Sequence, residues 1–257
     1  MDDLEEGRVE AQGIPLAKYT YVSCWTESDD ESIPLWHMYS GNGNGIRISL
    51  PQDMFKDYSI VDGLVGDKNL STPAQSIFPK IEPSTMWKIP LSEYFGKKYL
   101  ILPIYSNNTK RFYRKIQYVD DILSHTNNLD EITYHNNGTY DLSLKMGEVG
   151  IYKHNRWQFQ NESRFIIQII PTEQEITLLD AQKSVEFIIK ALMNKSQPHF
   201  ETYDLSLKDE AFEQLEVTLS PSITSGQRVI VDSLVKHFAP NAKIKDSELT
   251  HCVKLKN

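Results

Sequence analysis

The stretch Phe165-Ile166-Ile167-Gln168-Ile169-Ile170 is a nearly continuous apolar run, and it decides how the rest of the chain can pack. Such a run is typical of a strand that is buried on both faces. We therefore expect it to be a central strand of the main sheet, with other strands on both of its edges. Because strands and helices do not alternate strictly along the chain, the predicted fold class is α+β, with a mixed, mostly antiparallel sheet and flanking helices.

The other elements follow from periodicity and from residues that start or stop helices. Predicted strands span residues 19–26, 46–50, 99–105, 112–119, 216–220 and 250–255, and the third and fourth form a hairpin. Predicted helices begin at the N-caps Ser32, Asp180, Ser206 and Thr224, and a further helix spans 142–154. The Asn- and His-rich segment 124–139 is predicted to be a surface loop.

The composition predicts one globular domain that covers residues 1–257. Apolar residues make up 40% of the chain, enough for a full core, and the net charge of −8 opposes nonspecific attraction to nucleic acid or anionic membrane. No stretch approaches the roughly 18 apolar residues of a membrane span. The acidic segment 1–6 lacks an apolar signal core. These features predict a cytoplasmic protein with no membrane partner.

Cysteine and histidine form no pattern that predicts a metal site or a disulfide. The two cysteines, Cys24 and Cys252, are too few for a disulfide framework or a Cys-based zinc site. Cys24 lies in an apolar, strand-like run, so we expect it to be buried and inert. The seven histidines are scattered, and no metal is expected.

The one dense basic cluster is Lys110-Arg111-Phe112-Tyr113-Arg114-Lys115. A strand with basic and aromatic residues interleaved can track a phosphate backbone and stack on bases. The same residues also suit an exposed edge strand that is protected by its charge. The second interpretation is favoured, and no strong binding of nucleic acid is expected.

The segment with the most chemical information is Trp157-Gln158-Phe159-Gln160-Asn161-Glu162-Ser163-Arg164, directly before the apolar run. Residues two apart on an extended chain point the same way, so Gln160 and Glu162, or Glu162 and Arg164, can face one ligand. The alternative is a structural ion pair between Glu162 and Arg164 that holds the strand entrance. Both interpretations stay open at this point.

Three blocks together resemble an uncharacterised bacterial family, the domain of unknown function numbered 2971. The blocks are residues 21–26 with 35–39 and 45–48, then Lys153 with Trp157, Glu162 and Arg164, and last the closing helix with Ile244 and 247–249. The chain departs from the family in two ways. The family's N-terminal segment is expected to be absent or very short, and Gln160 stands where the family carries a Glu.

The family arrangement in turn resembles ADP-ribosyltransferases. These enzymes carry Ser or Thr residues at the end of a strand and Gln/Glu-x-Glu before a late strand. Ser23, Thr26 and Ser28 stand where the first motif would be, and Gln160-Asn161-Glu162 matches the second. The Arg or His of the enzymes' first strand has no counterpart in this sequence.

This resemblance implies a transferase that binds NAD or a related nucleotide. Glu162 would hydrogen-bond a ribose hydroxyl and stabilise the positive charge that develops as nicotinamide leaves, and Gln160 would orient the acceptor. The implied substrate-binding set contains residues that stack on rings, meet phosphates or line the same cleft: Ser23, Trp25, Thr26, Trp36, Tyr39, Arg47, Lys153, Trp157 and Arg164.

The alternative is a non-enzymatic interaction or sensor domain in bacterial defence or a mobile element, with a protein partner instead of a nucleotide. Glu162 and Arg164 would then only hold the fold. The missing first motif favours this alternative, because an enzyme without it needs a partner to complete its site.

Overall fold

The computed structural model describes residues 4–41, 43–59, 86–94, 97–102, 104, 109–136, 140–176 and 181–253. The chain divides into two compact units, the first made of residues 1–27 and 57–204 and the second of residues 28–56 and 205–257. Because the chain crosses after Glu27, Lys56 and Asp204, neither unit is one continuous segment. The expectation of a single domain stays a prediction, since compactness alone does not show whether the units fold separately.

The main sheet of the first unit is built around β9 (Glu162–Pro171). Along one edge it pairs antiparallel with β1 (Thr20–Thr26), and along the other it pairs antiparallel with β3 (Tyr99–Ile101) and β4 (Tyr113–Lys115). Every residue of β9 is buried except the half-buried Gln168. The prediction of a central strand with neighbours on both edges is therefore confirmed.

The segment before β1 belongs to the core of the first unit, although its sequence shows no periodicity. Its buried apolar residues are Val9, Ala11, Ile14, Leu16, Ala17 and Tyr19. Two 3₁₀ turns, Glu6–Arg8 and Leu16–Tyr19, bend the segment against the sheet. The first of these turns carries the side chain of Glu6 inward.

The remaining elements of the first unit are short. They are α2 (Thr109–Phe112), β5 (Gln117–Val119), α3 (Ile122–Thr126), β6 (Asp130–Tyr134), β7 (Tyr140–Leu144), β8 (Tyr152–His154), the 3₁₀ turn Asn155–Gln160 and α4 (Ala181–Met193). β5 and β8 pair in parallel, and β6 and β7 form an antiparallel hairpin. α4 confirms the helix predicted there, and its predicted cap, Asp180, lies outside the described residues.

Three predictions for the first unit are wrong. The described strands of the predicted hairpin, β3 and β4, do not pair with each other, because both pair with the ten-residue β9 along one edge. The predicted loop 124–139 contains the end of α3 and the strand β6. The predicted helix 142–154 is instead β7, a 3₁₀ turn and β8. Gly150 has a φ of +81°, and this left-handed backbone breaks any helix there.

The second unit contains a three-stranded sheet in the order β11-β10-β2. Its elements are α1 (Ile33–Tyr39), β2 (Ile46–Ser49), α5 (Asp209–Glu213), β10 (Glu216–Leu219), α6 (Ser225–Phe238) and β11 (Lys243–Asp246). β10 pairs antiparallel with β2 and parallel with β11, and α6 forms the crossover between the two parallel strands. Together the two units make an α+β fold whose strand pairs are mostly antiparallel, as predicted.

Caps decide where the helices of the second unit begin. The side chains of Ser32 and Thr224 accept hydrogen bonds from Leu35 N and Gln227 N, so both predicted N-caps are confirmed. Ser206 is not a cap, because α5 begins after Lys208 without a side-chain cap bond. The last strand is β11, whereas residues 249–252 form a turn, so the predicted strand 250–255 is wrong within the described residues.

The turn between α1 and β2 depends on glycine at one position. A Cβ atom on Gly45 would lie 2.5 Å from the Cα atom of Ser40, so only glycine allows this approach. In the parts of the chain that the structure describes, no helix combines the length and the apolar character needed to cross a membrane.

Candidate functional site

Four charged side chains meet inside the first unit, at the start of β9. Glu162 and Arg164 are two residues apart on β9 and therefore share one face of the sheet. β8 contributes Lys153, and the N-terminal 3₁₀ turn contributes Glu6. With the neighbouring Gln160 they form what we call the Glu162 network. Its members are only 1 to 5% exposed.

Both carboxylate oxygens of Glu162 are occupied. Oε1 accepts a hydrogen bond from Arg164 Nε at 2.6 Å, and Oε2 accepts one from Lys153 Nζ at 2.7 Å. The backbone N–H of Glu162 donates to the hydroxyl of Tyr118 at 2.8 Å. Charge-assisted bonds of this length are the strong class of hydrogen bond in proteins.

The two cations of the network have further partners. Arg164 Nη1 donates to Glu6 Oε2 at 2.6 Å and to the carbonyl oxygen of Gly150 at 2.9 Å. Lys153 Nζ donates to Gln160 Oε1 at 2.7 Å and lies 4.0 Å from Glu6 Oε1. Two carboxylates thus balance two cations, which is the condition under which buried charges are tolerated.

The electrostatics keep the central pair ionised. Burial by itself would raise the pKa of Glu162, but the hydrogen bond and charge of Arg164, with smaller contributions from Cys24 and Lys153, lower that pKa to about 2. Burial would lower the pKa of Arg164, but the carboxylates of Glu6 and Glu162 raise it above its ordinary value. Glu162 is therefore a carboxylate, and Arg164 a cation, at neutral pH.

The sequence predicted that Gln160 and Glu162 lie on one extended segment. This prediction is wrong. Gln160 is the last residue of a 3₁₀ turn, and Asn161 has a left-handed φ of +43° between the turn and the strand. Asn tolerates this backbone better than most residues. Gln160 and Glu162 nevertheless converge, because both accept from Lys153 Nζ. Gln160 is 5% exposed, so its amide faces the network.

β1 places its predicted site residues on both faces of the sheet. Thr26 pairs with Glu162 and shares its face, whereas Trp25 pairs with Ser163 and lies on the opposite face. Ser23 lies on the same face as Trp25 and accepts a hydrogen bond from its indole N–H at 2.8 Å. The structure therefore places Thr26 and Arg164 beside Glu162, and Trp157, Gln160 and Glu162 beside Lys153. It does not bring Ser23 and Trp25 to them.

The other predicted substrate-binding residues, Trp36, Tyr39 and Arg47, belong to the second unit. Trp36 is buried and its indole N–H donates to Glu31 at 2.7 Å. Arg47 donates to the carbonyl oxygens of Ser28 and Asp29 at 3.1 and 3.0 Å. Tyr39 is 57% exposed.

Glu31 is a residue that the sequence analysis missed. Its carboxylate accepts from Trp36, from Ser247 Oγ at 2.5 Å and from the backbone N–H of Glu248 at 2.8 Å. Burial raises its pKa, but these hydrogen bonds and the charge of Arg47 leave the pKa below its ordinary value. Glu31 thus joins Trp36 to Ser247, which lies 216 positions after Glu31.

The prediction that Cys24 is buried is wrong, because the residue is exposed. The sulfur atom itself lies against the Glu162 network. The surrounding protein atoms raise the pKa of this thiol, the charge of Arg164 lowers it, and the hydrogen bond to Glu162 raises it again, so that the pKa reaches about 12. The group is therefore a thiol at neutral pH and a poor nucleophile.

Glu6 is the member of the Glu162 network that the sequence analysis missed, since it lies in a polar segment without periodicity. Among the described residues, His, Cys, Asp and Glu side chains do not gather in groups of three or more that could hold a metal ion.

Comparison of this chain with protein-family models, with curated proteins and with solved structures gave no match. The resemblance to the uncharacterised family therefore stays a prediction.

Proposed function

We propose that this protein is a non-enzymatic interaction domain and that Glu162 is a structural residue. The observation that carries this proposal is the engagement of both Glu162 oxygens, by Lys153 and Arg164, at a position that is 5% exposed. The charge of this carboxylate is already balanced by two cations, and its burial keeps it from the solvent side, where the ribose of NAD would have to reach it.

The transferase hypothesis asks more of Glu162. To stabilise an oxocarbenium-like transition state, its carboxylate must face the reacting sugar. Turning it toward a ligand would break two hydrogen bonds and leave the buried charges of Lys153 and Arg164 without this partner. Exposing or stranding such charges costs several kcal/mol, which substrate binding would have to offset.

Support for an interaction role comes from the second unit. Several of its large apolar side chains are exposed, among them Ile230 (53%), Leu234 (52%) and Phe238 (73%) on α6. Apolar side chains grouped at a surface are typical of sites that bind another protein.

The substitution Glu162→Gln tests the structural role. It keeps the shape of the side chain but removes one of the two negative charges that balance Lys153 and Arg164. We expect the free energy of unfolding to fall by about 3 to 5 kcal/mol, as when a buried ion pair loses one partner. The matched control is Glu216→Gln, which removes a partly exposed ion pair with Lys245 and should cost about 0 to 1 kcal/mol. Urea unfolding of the three proteins gives both values.

The same samples test the transferase alternative. We expect the parent protein neither to bind NAD in calorimetry nor to release nicotinamide from it. Saturable NAD binding by the parent, together with a Glu162→Gln protein that is as stable as the parent but has lost turnover, would contradict the proposal.

A further inference from the structure

The position of α6 on the sheet of the second unit can be read from one contact. Arg228 of α6 forms an ion pair with Asp246 of β11. Asp246 is opposite Leu219 of β10, and Leu219 is opposite Ile46 of β2. Residues that are directly opposite on neighbouring strands share a face of the sheet. The ion pair therefore places the first turn of α6 on the sheet face that carries Leu219 and Ile46.

The cover is incomplete on the side of β2. The central residues on this face, Val217 and Leu219, are 2% and 0% exposed. On the edge strand β2, Ile46 and Ile48 share the face but remain 39% and 46% exposed. A sheet face of this kind normally buries its apolar side chains, and among the residues that the structure describes no element buries those of β2.

One side of α6 has the same character. Ile230, Leu234 and Phe238 are four residues apart and form a single stripe along the helix. Val231 and Val235 are half-buried, and on the helix surface they lie between this stripe and Arg228. Because Arg228 reaches toward β11, the stripe lies on the side of α6 toward β2. Ile46 and Ile48 on the sheet and the stripe on α6 thus form one exposed apolar surface, which we call the apolar step.

We infer that this step is covered by the same step of a second copy of the chain. β2 is an edge strand, so its outer N–H and C=O groups can pair with another strand. A two-fold axis beside β2, perpendicular to the sheet, pairs two copies of β2 antiparallel. The same axis sets the two α6 stripes against each other above the four isoleucines. One surface then satisfies both backbone and apolar groups, as a two-fold interface requires.

The size of the step suits this occupant. Its five side chains expose roughly 500 Å² of apolar surface, which is about the apolar part of one side of a standard interface of about 800 Å² per partner. No charged residue interrupts the stripe, so the same surface of a second copy meets it without charge repulsion.

This inference rests on the proposed interaction function and names its partner. The test is sedimentation equilibrium of the full chain and of two variants of α6. Leu234→Asp places a charge in the stripe, and we expect it to weaken dimerisation by at least about thirtyfold, as for a central interface residue. Val229→Asp is the matched control, because Val229 is 63% exposed on the far side of α6 and should leave the dimer intact. Phe238→Asp provides a second stripe variant.

A parent chain that stays monomeric at high micromolar concentration would overturn the dimer. Equal effects of Leu234→Asp and Val229→Asp would overturn its location. Neither result touches the Glu162→Gln and NAD measurements, so the dimer and the non-enzymatic role fail separately. Urea unfolding of each variant shows whether a monomeric variant is still folded, and a folded Leu234→Asp monomer beside a parent dimer supports the inference.

Discussion

Glu6 makes the charges of the Glu162 network balance, and it does so from 158 positions before Arg164. Alternation along an extended strand predicted that Glu162 and Arg164 share a face, and the structure agrees. No rule of spacing could predict Glu6, because its partners come from strands elsewhere in the chain. The sequence likewise left two roles open for Glu162, since it does not reveal how many of the carboxylate oxygens are already engaged.

The lowered pKa of Glu162 predicts how stability depends on pH. In the folded protein this pKa is about 2, against an ordinary value of 4.5, so on acidification the unfolded chain takes up the proton first. The stabilisation from the ionised carboxylate is complete above about pH 4.5 and is lost as pH falls toward 2. Urea unfolding at a series of pH values should therefore show that the difference in the free energy of unfolding between the parent and Glu162→Gln, which we call the gap, becomes smaller over this range.

The difference in the free energy of unfolding between the parent and the variant contains only the contribution of Glu162. Glu27 and Glu31 also have pKa values below the ordinary one, but they are present in both proteins, and their contributions cancel. A gap that stays constant from neutral pH down to pH 2 would show that the charge of Glu162 contributes nothing to stability.

At the scale of elements, the long apolar run and the caps Ser32 and Thr224 were predicted correctly, whereas three short strands of the first unit were missed. β9 and α6 carry strong local signals, a six-residue apolar run and a Thr cap. β6, β7 and β8 have three to five residues each, and their pairing depends on partners that local periodicity does not reveal. β3 and β4 were predicted to be strands, but they were expected to pair with each other, whereas both pair with β9.

Two N-caps predicted from sequence, one confirmed and one wrong, make a matched pair of substitutions. Thr224→Ala removes the acceptor for Gln227 N at the start of α6 and should cost about 1 kcal/mol of stability. Ser206→Ala changes an exposed residue that caps no helix and should stay within about 0.5 kcal/mol of the parent. Urea unfolding measures both, and equal losses would show that the bond from Gln227 adds nothing.

At the scale of the whole molecule, the charge of −8 and the local basic cluster have opposite consequences for nucleic acid. The structure reduces the local attraction. Lys115 is paired with Glu27, and Arg114 donates to the carbonyl oxygen of Gly147 at 3.0 Å, whereas Arg111 is exposed. Only part of the cluster is therefore available to phosphate.

We expect no tight binding of DNA or RNA in a gel-shift assay at near-physiological salt. Few phosphate contacts give weak binding that salt removes, and the net negative charge weakens it further. Saturable binding that is lost in an Arg111→Ala, Arg114→Ala double variant would contradict this expectation and would locate a binding site on α2 and β4.

The three crossings between the two units have a consequence for the order in which the chain can fold on the ribosome. Ile46 of β2 pairs with Leu219 of β10, which is synthesised 173 residues later. At ~5 to 20 residues per second, residues 28–56 wait roughly 10 to 35 seconds for that partner. During this interval Ile46 and Ile48 lack even the strand that supports them in the finished protein. Nascent chains with residues 28–56 already outside the exit tunnel are therefore the species most in need of a chaperone.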